Sequence, residues 1–483
     1  MTAVNSALAT RIAQEHAAAE ETLPASVVSR DRRRIAMAAL TKLGLPTSRD
    51  ENWKYANLRP LERVRFTPAT QDAGRAAQTS TLPPPIAGHA RYTFVDGVFS
   101  PQLSFPVELA GVTVRSMRLG SAAAPAGSDA LVGADARFAL LNDAFAIDGA
   151  CIRVAAGTDC EPCLEIVFAA SADAKSGASY PRVELQVEAG ARFGLIERHL
   201  SLTGDGRGSP HSGRVDSVGG GSAANFVNGS VNIELGRGSS VKHYRVQQMG
   251  AQALWFDSLS ASVAEDAVYR LYSVGLGALA ARSTVNIRIS GERADVGVYA
   301  ADVADRQQNH DTFVLVDHAT PRARTEQTFR GVAAGRARVA FNSKVIVRKD
   351  AHGTDSRQSL RGLLAGAEAE IDVRPQLEIY TDDVKCSHGA TAGKLDDNML
   401  FYMLSRGLDR DTAQRLLKWA FLEDVVARIE VPELRRQIEQ SLAGQLNETA
   451  VLQGAPYTAH GQLHEQLPRG DGERATPTQK ELL

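Results

Sequence analysis

The segment from Ala264 to Ala300 has the sequence "AEDAVYRLYSVGLGALAARSTVNIRISGERADVGVYA". Apolar and polar side chains alternate in "AVYRLYSV" and in "TVNIRIS", which is the pattern of a β-strand with one buried face. Small residues mark the corners next to these strands, as in "AEDA" and "SGERA". No apolar pattern of helical length separates them. The segment therefore predicts short strands that are joined by tight corners.

The same unit recurs from about residue 91 to residue 381, in stretches such as "SVNIELG", "SVKHYRV", "TFVLVDH" and "KVIVRKD". Aligned corner alanines are 27, 43, 14 and 16 residues apart, close to multiples of about fourteen. They are Ala267, Ala294, Ala337, Ala351 and Ala367.

Parallel pairing needs a crossover of a dozen or more residues, and no helices are available for it here. A solenoid meets this need, because each next strand serves as the crossover. The repeat therefore predicts a parallel β-helix. The alternative is an antiparallel sandwich, for which "DG" at Asp96 and Asp148 and "NG" at Asn228 offer hairpin turns.

Helical patterns flank the predicted β core. Near the N-terminus an apolar stripe recurs at about the helical period before Gly44 and Pro46 end it. This stripe consists of Val28, Ile35, Ala39, Leu40 and Leu43. We predict a mainly β chain with an N-terminal helical segment (1–70), a linker (71–90), a right-handed parallel β-helix (91–390), a C-terminal helical segment (391–446) and a disordered tail (447–483), with a flexible insertion at 203–225.

The composition of the chain argues against some classes of binding partner. The chain has 483 residues, with 43% hydrophobic, 23% charged and a formal net charge of -2, so it has no bulk attraction to nucleic acid or to anionic membranes. Its polar start has no signal-peptide core, and we expect a cytoplasmic protein. In that reducing compartment the four cysteines should be free thiols. They are Cys151, Cys160, Cys163 and Cys386.

The densest chemistry lies in "DDVKCSHGATAGKLD", from Asp382 to Asp396. Cys386 and His388 are two residues apart, so on an extended backbone both side chains leave the same face, with Cα atoms about 6–7 Å apart. This separation suits two ligands of one metal or cluster, and it fills at most half of a tetrahedral site. The alternative is a buried structural cysteine beside a hydrogen-bonded histidine.

Other motifs carry less information. A single CxxC, at Cys160 and Cys163, is more typical of a structural role than of redox chemistry. His310 and His318 share a face but lie roughly 26 Å apart along a strand, too far to share a metal. "GATAGKLD" has too few residues for a Walker A loop and lacks its hydroxyl, so we expect this chain neither to bind nor to hydrolyse ATP.

The stretch from Asp382 to Val426, "DDVKCSHGATAGKLDDNMLFYMLSRGLDRDTAQRLLKWAFLEDVV", resembles the C-terminal signature of the SufB/SufD family of iron–sulfur cluster assembly scaffolds. "PTSRDENWKYANLRPL" is similar to the N-terminal signature of the SufD branch. SufB-like chains carry a cysteine near "SRQSLRGLL" and a Glu-His pair in place of "CSHG", so both differences favour SufD. Arg374 departs from the small residue expected there. A SufB-like paralogue is the alternative.

The resemblance implies a non-catalytic scaffold that pairs with a SufB-like chain through the β-helix and with SufC ATPase subunits through the C-terminal helices. A cysteine desulfurase and its transfer partner would supply sulfur indirectly. A nascent iron–sulfur cluster would be shared transiently with the partner, the complex can bind reduced flavin, and the isolated chain can form a homodimer. Neither nucleic acid nor membrane is expected as a partner.

By position, Cys386 and His388 match the ligands that SufD-like chains present at the SufB–SufD interface. Five residues match the SufC-docking region: Phe401, Tyr402, Arg406, Leu416 and Phe421. Two further readings stay open at this point. One is a carbohydrate-active enzyme, which the β-helix fold commonly hosts. The other is a purely structural docking protein whose Cys386 is buried and inert.

Overall fold

The computed structural model describes residues 3–69, 82–120, 133–171, 177–202 and 225–446. Most of the predicted linker, nearly all of the predicted flexible insertion and the predicted disordered tail lie outside the described residues. The helices are α1 (Ala3–Ala19), α2 (Arg30–Leu43), α3 (Arg137–Phe145), α4 (Asp397–Ser405), α5 (Arg410–Val426) and α6 (Pro432–Gln445). The strands are β1 (Ala90–Val95), β2 (Val98–Phe99), β3 (Val112–Ser116), β4 (Ala150–Val154), β5 (Asp159–Ala170), β6 (Arg182–Val187), β7 (Arg192–Ser201), β8 (Phe226–Leu235), β9 (Ser240–Met249), β10 (Leu254–Val263), β11 (Val268–Gly277), β12 (Ala280–Ile289), β13 (Asp295–Ala304), β14 (Asn309–His318), β15 (Arg324–Ala333), β16 (Arg338–Val347), β17 (Thr354–Leu364), β18 (Glu370–Ile379) and β19 (Val384–Lys394).

The strands form a parallel β-helix of about seven turns. Odd-numbered strands from β5 to β19 make one sheet, and even-numbered strands from β4 to β18 make the other. Successive strands alternate between the sheets, so the period of about fourteen residues is one strand with its corner, and a full coil needs two. The prediction of a mainly β, parallel β-helix with flanking helices is confirmed, and the antiparallel sandwich is wrong.

The register keeps one face of every strand inside the coil. Between β11 and β13, Tyr269 pairs with Val296 and Leu271 pairs with Val298, and all four side chains are buried in the main core. Each fully buried Val or Leu side chain contributes about 1.5–3 kcal/mol relative to exposure, so a long narrow stack can hold the coil together.

The corners explain the small residues of the repeat. Asp266 and Arg293 adopt positive φ (58° and 56°), which turns the chain sharply, and the alanines that follow them, Ala267 and Ala294, are completely buried. Ala337 and Ala351 are also completely buried. Ala367 does not fit this role. It is exposed, and the half-buried alanine immediately before β18 is Ala369.

The N-terminal helices pack against the early coils. In α2 the hydroxyl of Ser29 caps the first turn, and Gly44 ends the helix at φ 69°. The predicted apolar stripe is wrong at Ile35 and Leu43, which are 68% and 37% exposed, whereas Arg33 is completely buried. The reason is that the Arg33 guanidinium donates to the carbonyl of Val28 and to those of Ala144 and Ala146, which lie at the C-terminal end of α3 and need donors.

The C-terminal helices α5 and α6 cover the outer face of the odd-numbered sheet. Their residues Leu422 and Ile438 share a buried cluster with Tyr272, which stacks between Tyr244 and Tyr299 at ring distances of 4.9 and 5.2 Å. None of the helices in the described part of the chain has the length and apolar character that a membrane crossing requires.

The two ends of the solenoid differ. At the N-terminal end β1 pairs with β2, and β3 with β4, in antiparallel fashion. At the C-terminal end β18 and β19 are the outermost strands of their sheets, and in the described residues no further strand pairs with them. We call this end, formed by β17, β18 and β19, the open end.

Candidate functional site

Cys386 and His388 lie on β19, at the open end. In the parallel register with β17, Cys386 is opposite Ser356 and His388 is opposite Gln358. Cys386 packs against the main core, so its side chain points into the coil, and the alternation of the strand directs His388 to the same face. The strand thus brings the predicted pair together on one face, as the sequence spacing indicated.

The thiol of Cys386 is half-buried and the imidazole of His388 is exposed. Burial raises the pKa of the Cys386 thiol, and the nearby Asp355 raises it further, while a backbone hydrogen bond from Ser356 acts in the opposite direction. The free thiol is therefore protonated at neutral pH and must lose its proton when it binds a soft metal. Within the described residues, no three His, Cys, Asp or Glu side chains converge as a metal site.

Behind this pair lies a column of buried polar side chains that the sequence reasoning missed. In β15 and β17, Thr325 aligns with Ser356 and Gln327 aligns with Gln358. All four are buried in the interior of the coil. The signal that could have found them is the two-strand period, because residues about 30 apart, such as Gln358 and His388, stack in successive coils of one sheet.

The middle coils contain a second interior group that the sequence reasoning missed, which we call the buried ion network: Glu197, His199, His243, Arg245 and Asp257. Arg245 bridges Glu197 and Asp257 at 3.0 and 2.9 Å. The Glu197 carboxylate also contacts His199 at 2.6 Å and His243 at 3.0 Å.

Burial by itself raises the pKa of Glu197, but the Arg245 guanidinium and hydrogen bonds from the two histidines bring that pKa well below its ordinary value. Burial also lowers the pKa of His243, in spite of the neighbouring carboxylate. The carboxylate therefore stays ionised inside the coil. Each carboxylate of this network has the Arg245 guanidinium at hydrogen-bonding distance, which is typical of a structural role.

The remaining candidates have local partners. The Nε2 of His318 lies 2.7 Å from the hydroxyl of Thr325, and the Nε2 of His310 lies 2.5 Å from the carbonyl of Gly277. Cys151 and Cys386 are free thiols. Cys160 is disulfide-bonded, so the expectation of four free thiols is wrong.

The predicted docking residues divide into two groups. On α4, Phe401 and Tyr402 are 73% and 58% exposed, and the Arg406 guanidinium lies over the Tyr402 ring at 5.0 Å. On α5, Leu416 and Phe421 are half-buried, and Phe421 packs against the cluster beneath the helices. Helix α4 therefore presents an apolar surface to solvent next to the open end.

Arg374, the departure from the expected small residue, forms an ion pair with Glu51. It thereby connects β18 to the N-terminal segment. The contact accounts for an arginine at this position, because a small side chain could not span the gap between the two segments.

A family described as "SUF system FeS cluster assembly, SufBD core domain" matches residues 168–421. The chain is 28% identical to the iron–sulfur cluster assembly protein SufD of Escherichia coli over 407 residues, which cover 83% of this chain and 89% of that protein. It is 26% identical to an iron–sulfur cluster assembly SufBD family protein of Synechocystis, over 86% of this chain and 90% of the relative. A SufBD family protein of Mycobacterium leprae is 32% identical over 39% of this chain and 50% of its own length.

Proposed function

Because the chain belongs to the SufBD family of the SUF iron–sulfur cluster assembly system, we propose that it is a non-catalytic scaffold subunit that contributes Cys386 and His388 to a nascent cluster at an interface with a SufB-like partner. The cluster is the cargo of this assembly. Similarity to SufD over most of both chains supports the SufD branch.

The observation that carries the proposal is the position of the pair on the outermost strand. Cys386 and His388 share one face of β19, and no other strand of the described residues pairs with its outer edge, which can therefore offer backbone groups to another chain. Thiolate and imidazole are both ligands of iron–sulfur clusters. Two ligands from this chain leave further positions for ligands from a partner, so an interface at the open end would complete the site.

The second part of the proposal concerns α4. Its exposed residues Phe401 and Tyr402, with Met399 beside them, form an apolar surface that fits a docking site for the SufC ATPase. ATP hydrolysis would reside in SufC. Sulfur would arrive from a cysteine desulfurase through its transfer partner, and the assembly would work in the cytoplasm. The complex can also bind reduced flavin, and the isolated chain can form a homodimer.

The first experiment tests the ligand pair. Cells whose cluster assembly depends on the SUF system receive the double variant Cys386→Ala/His388→Ala, and the activity of an iron–sulfur reporter enzyme is measured. We expect activity to fall to that of cells without the chain. Cys151→Ala is the matched control, because Cys151 is also a half-buried free thiol but packs against the N-terminal helical cluster. Reporter activity that is unchanged in the double variant would remove the ligand assignment.

The second experiment tests docking. Phe401→Ser/Tyr402→Ser is co-expressed with tagged SufC and SufB, and the amount of this chain that co-purifies is measured. We expect at least a tenfold loss. Ile35→Ser is the control, since Ile35 is an equally exposed apolar residue on a distant helix. Full recovery of the α4 variant with SufC would place the docking site elsewhere.

A further inference from the structure

The interior of the coil changes character toward the open end. At the two positions of the odd-numbered sheet that align with the ligand pair, β13 carries Val296 and Val298, and both are buried in the main core. In β15 the same positions hold Thr325 and Gln327, and in β17 they hold Ser356 and Gln358. Polar side chains in such a core are costly unless hydrogen bonds satisfy them. Their presence in two successive coils next to the ligand pair indicates a functional role.

A chain of hydrogen bonds crosses the interior at this level. The amide nitrogen Nε2 of Gln358 donates to the hydroxyl of Ser343 at 2.7 Å, and that hydroxyl donates to Oε1 of Gln327 at 2.5 Å. Ser343 lies on β16, in the opposite sheet, so the chain ties both sheets together. The Gln358 side chain is thereby held with its nitrogen directed toward the interior.

The other end of this amide is unsatisfied. Gln358 is only 4% exposed, and its Oε1 is buried with no hydrogen-bond partner in the described part of the chain. Unpaired atoms also occur in the middle coils, for example Oδ1 of Asp257. What distinguishes Gln358 is its neighbour in the next coil, since the residue opposite it in register is His388.

His388 is suited to satisfy this acceptor. Adjacent parallel strands lie about 4.8 Å apart, so rotation of the imidazole about its side-chain bonds can bring a ring N–H to the buried oxygen without movement of the backbone. A neutral imidazole that donates from one nitrogen has its lone pair on the other, and metal-binding histidines are commonly oriented in this way.

We propose that Gln358 is a positioning residue for His388: its Oε1 accepts the imidazole N–H, which selects one tautomer and leaves the other nitrogen free to bind a metal. The inference rests on the proposed function of His388 as a ligand. Ser343 holds Gln358 in place by accepting from its Nε2, and Gln327 is bonded to Ser343 and not to Gln358.

The test uses the full-length chain labelled with ¹⁵N-histidine. The His388 signals are identified by their loss in His388→Ala, and the ring-nitrogen shifts give its tautomer without any metal. We expect one dominant tautomer in the natural protein, a mixture in Gln358→Met, and recovery of one tautomer in Gln358→Glu, which keeps an acceptor oxygen. Gln327→Met is the matched control, because it removes an equally buried amide one coil earlier while Ser343 still accepts from Gln358, so His388 should be unchanged.

A second measurement is titration with cobalt(II), followed by its visible absorbance. Loss of such a supporting hydrogen bond commonly weakens metal binding by about 10- to 100-fold. We expect a weakening of this order in Gln358→Met and none in Gln327→Met. Equal tautomer populations and equal cobalt affinity in Gln358→Met and in the natural protein would overturn the inference. Failure of the proposed function would show differently, as normal reporter activity in cells that carry Cys386→Ala/His388→Ala.

Discussion

The middle coils and the open end both place polar side chains inside the coil, but for opposite purposes. In the buried ion network, Arg245 lies between Glu197 and Asp257, so each charge has an opposite charge at hydrogen-bonding distance. At the open end the buried side chains are neutral, the acceptor of Gln358 is unpaired within the described residues, and the last strand carries a half-buried thiol and an exposed imidazole. A buried polar group whose partners lie inside the coil stabilises the coil. A polar group at the edge that has no such partner is available to another chain.

The largest expected effect on stability comes from removing the cation of the buried ion network in the middle coils. Arg245→Met leaves two carboxylates buried without their cation, and removal of one partner from such a site costs about 3–5 kcal/mol. Urea unfolding of the purified chain measures the change in the free energy of unfolding. Arg293→Met is the control, because Arg293 pairs with Glu265 and Asp266 at an exposed corner, where ion pairs contribute about 1 kcal/mol or less. Equal losses in both variants would show that the buried ion network contributes no more to the free energy of unfolding than an exposed ion pair.

The next effect depends on pH and concerns His318. Burial lowers the pKa of His318 to about 4 from an ordinary value of 6.5. Between these pH values the unfolded chain binds the proton and the folded chain does not, so this residue's contribution to stability is complete above pH 6.5 and is lost as the pH falls toward 4. A shift of this size corresponds to about 3 kcal/mol.

Between pH 7 and pH 4, we therefore expect the free energy of unfolding to fall less in His318→Gln than in the natural protein. The difference between the two decreases should reach up to about 3 kcal/mol. Urea unfolding at a series of pH values measures the difference. Comparison with the variant is essential, because burial raises the pKa of Asp302 to about 7 and gives the folded chain the opposite pH dependence. Parallel pH curves for the two proteins would mean that His318 is accessible to protons in the fold.

The corners give an intermediate effect. Ala294 is completely buried behind the sharp turn at Arg293, so Ala294→Leu should overpack the corner and cost about 1–3 kcal/mol. Ala367→Leu should change stability by less than about 0.5 kcal/mol, because Ala367 is exposed at the corner next to the open end. Thermal unfolding of the two variants compares them directly. A comparable loss at Ala367 would indicate that the last coil is as tightly packed as the middle.

The fold and the ligand pair could be predicted from the sequence, but other features of the interior could not, for physical reasons. Strand alternation and the spacing of Ala267, Ala294 and Ala337 predicted the parallel β-helix, because each position follows from local geometry. The error at Ala367 arose because a corner with two alanines offers two alignments and only the buried one carries the constraint. Cys386 and His388 were found because their spacing on a strand already determines a shared face.

The interior polar groups were beyond that reasoning. In "SRQSL" both faces of the strand carry polar residues, so alternation alone cannot tell that Ser356 and Gln358 point inward. The buried ion network joins residues from three strands in two sheets, and its pairing depends on register across coils. Once the two-strand period is known, residues about 30 apart in the sequence can be assigned to aligned positions in successive coils. The cross-coil contact between Ser343 and Gln358 still requires the structure.

The smallest expected effect on stability is at the ligand pair itself. Cys386 is half-buried at the edge, so Cys386→Ala should cost about 1 kcal/mol or less, whereas Val296→Ala, at the aligned position three coils earlier, removes fully buried methyl groups and should cost about 2 kcal/mol. Urea unfolding of both variants gives the comparison. If Cys386→Ala destabilised the chain as much as Val296→Ala, the thiol would be a core residue and the contrast between the two regions would fail at its most important position. If its cost stays small, any loss of cluster maturation in this variant reports the chemistry of the thiol and not the loss of the fold.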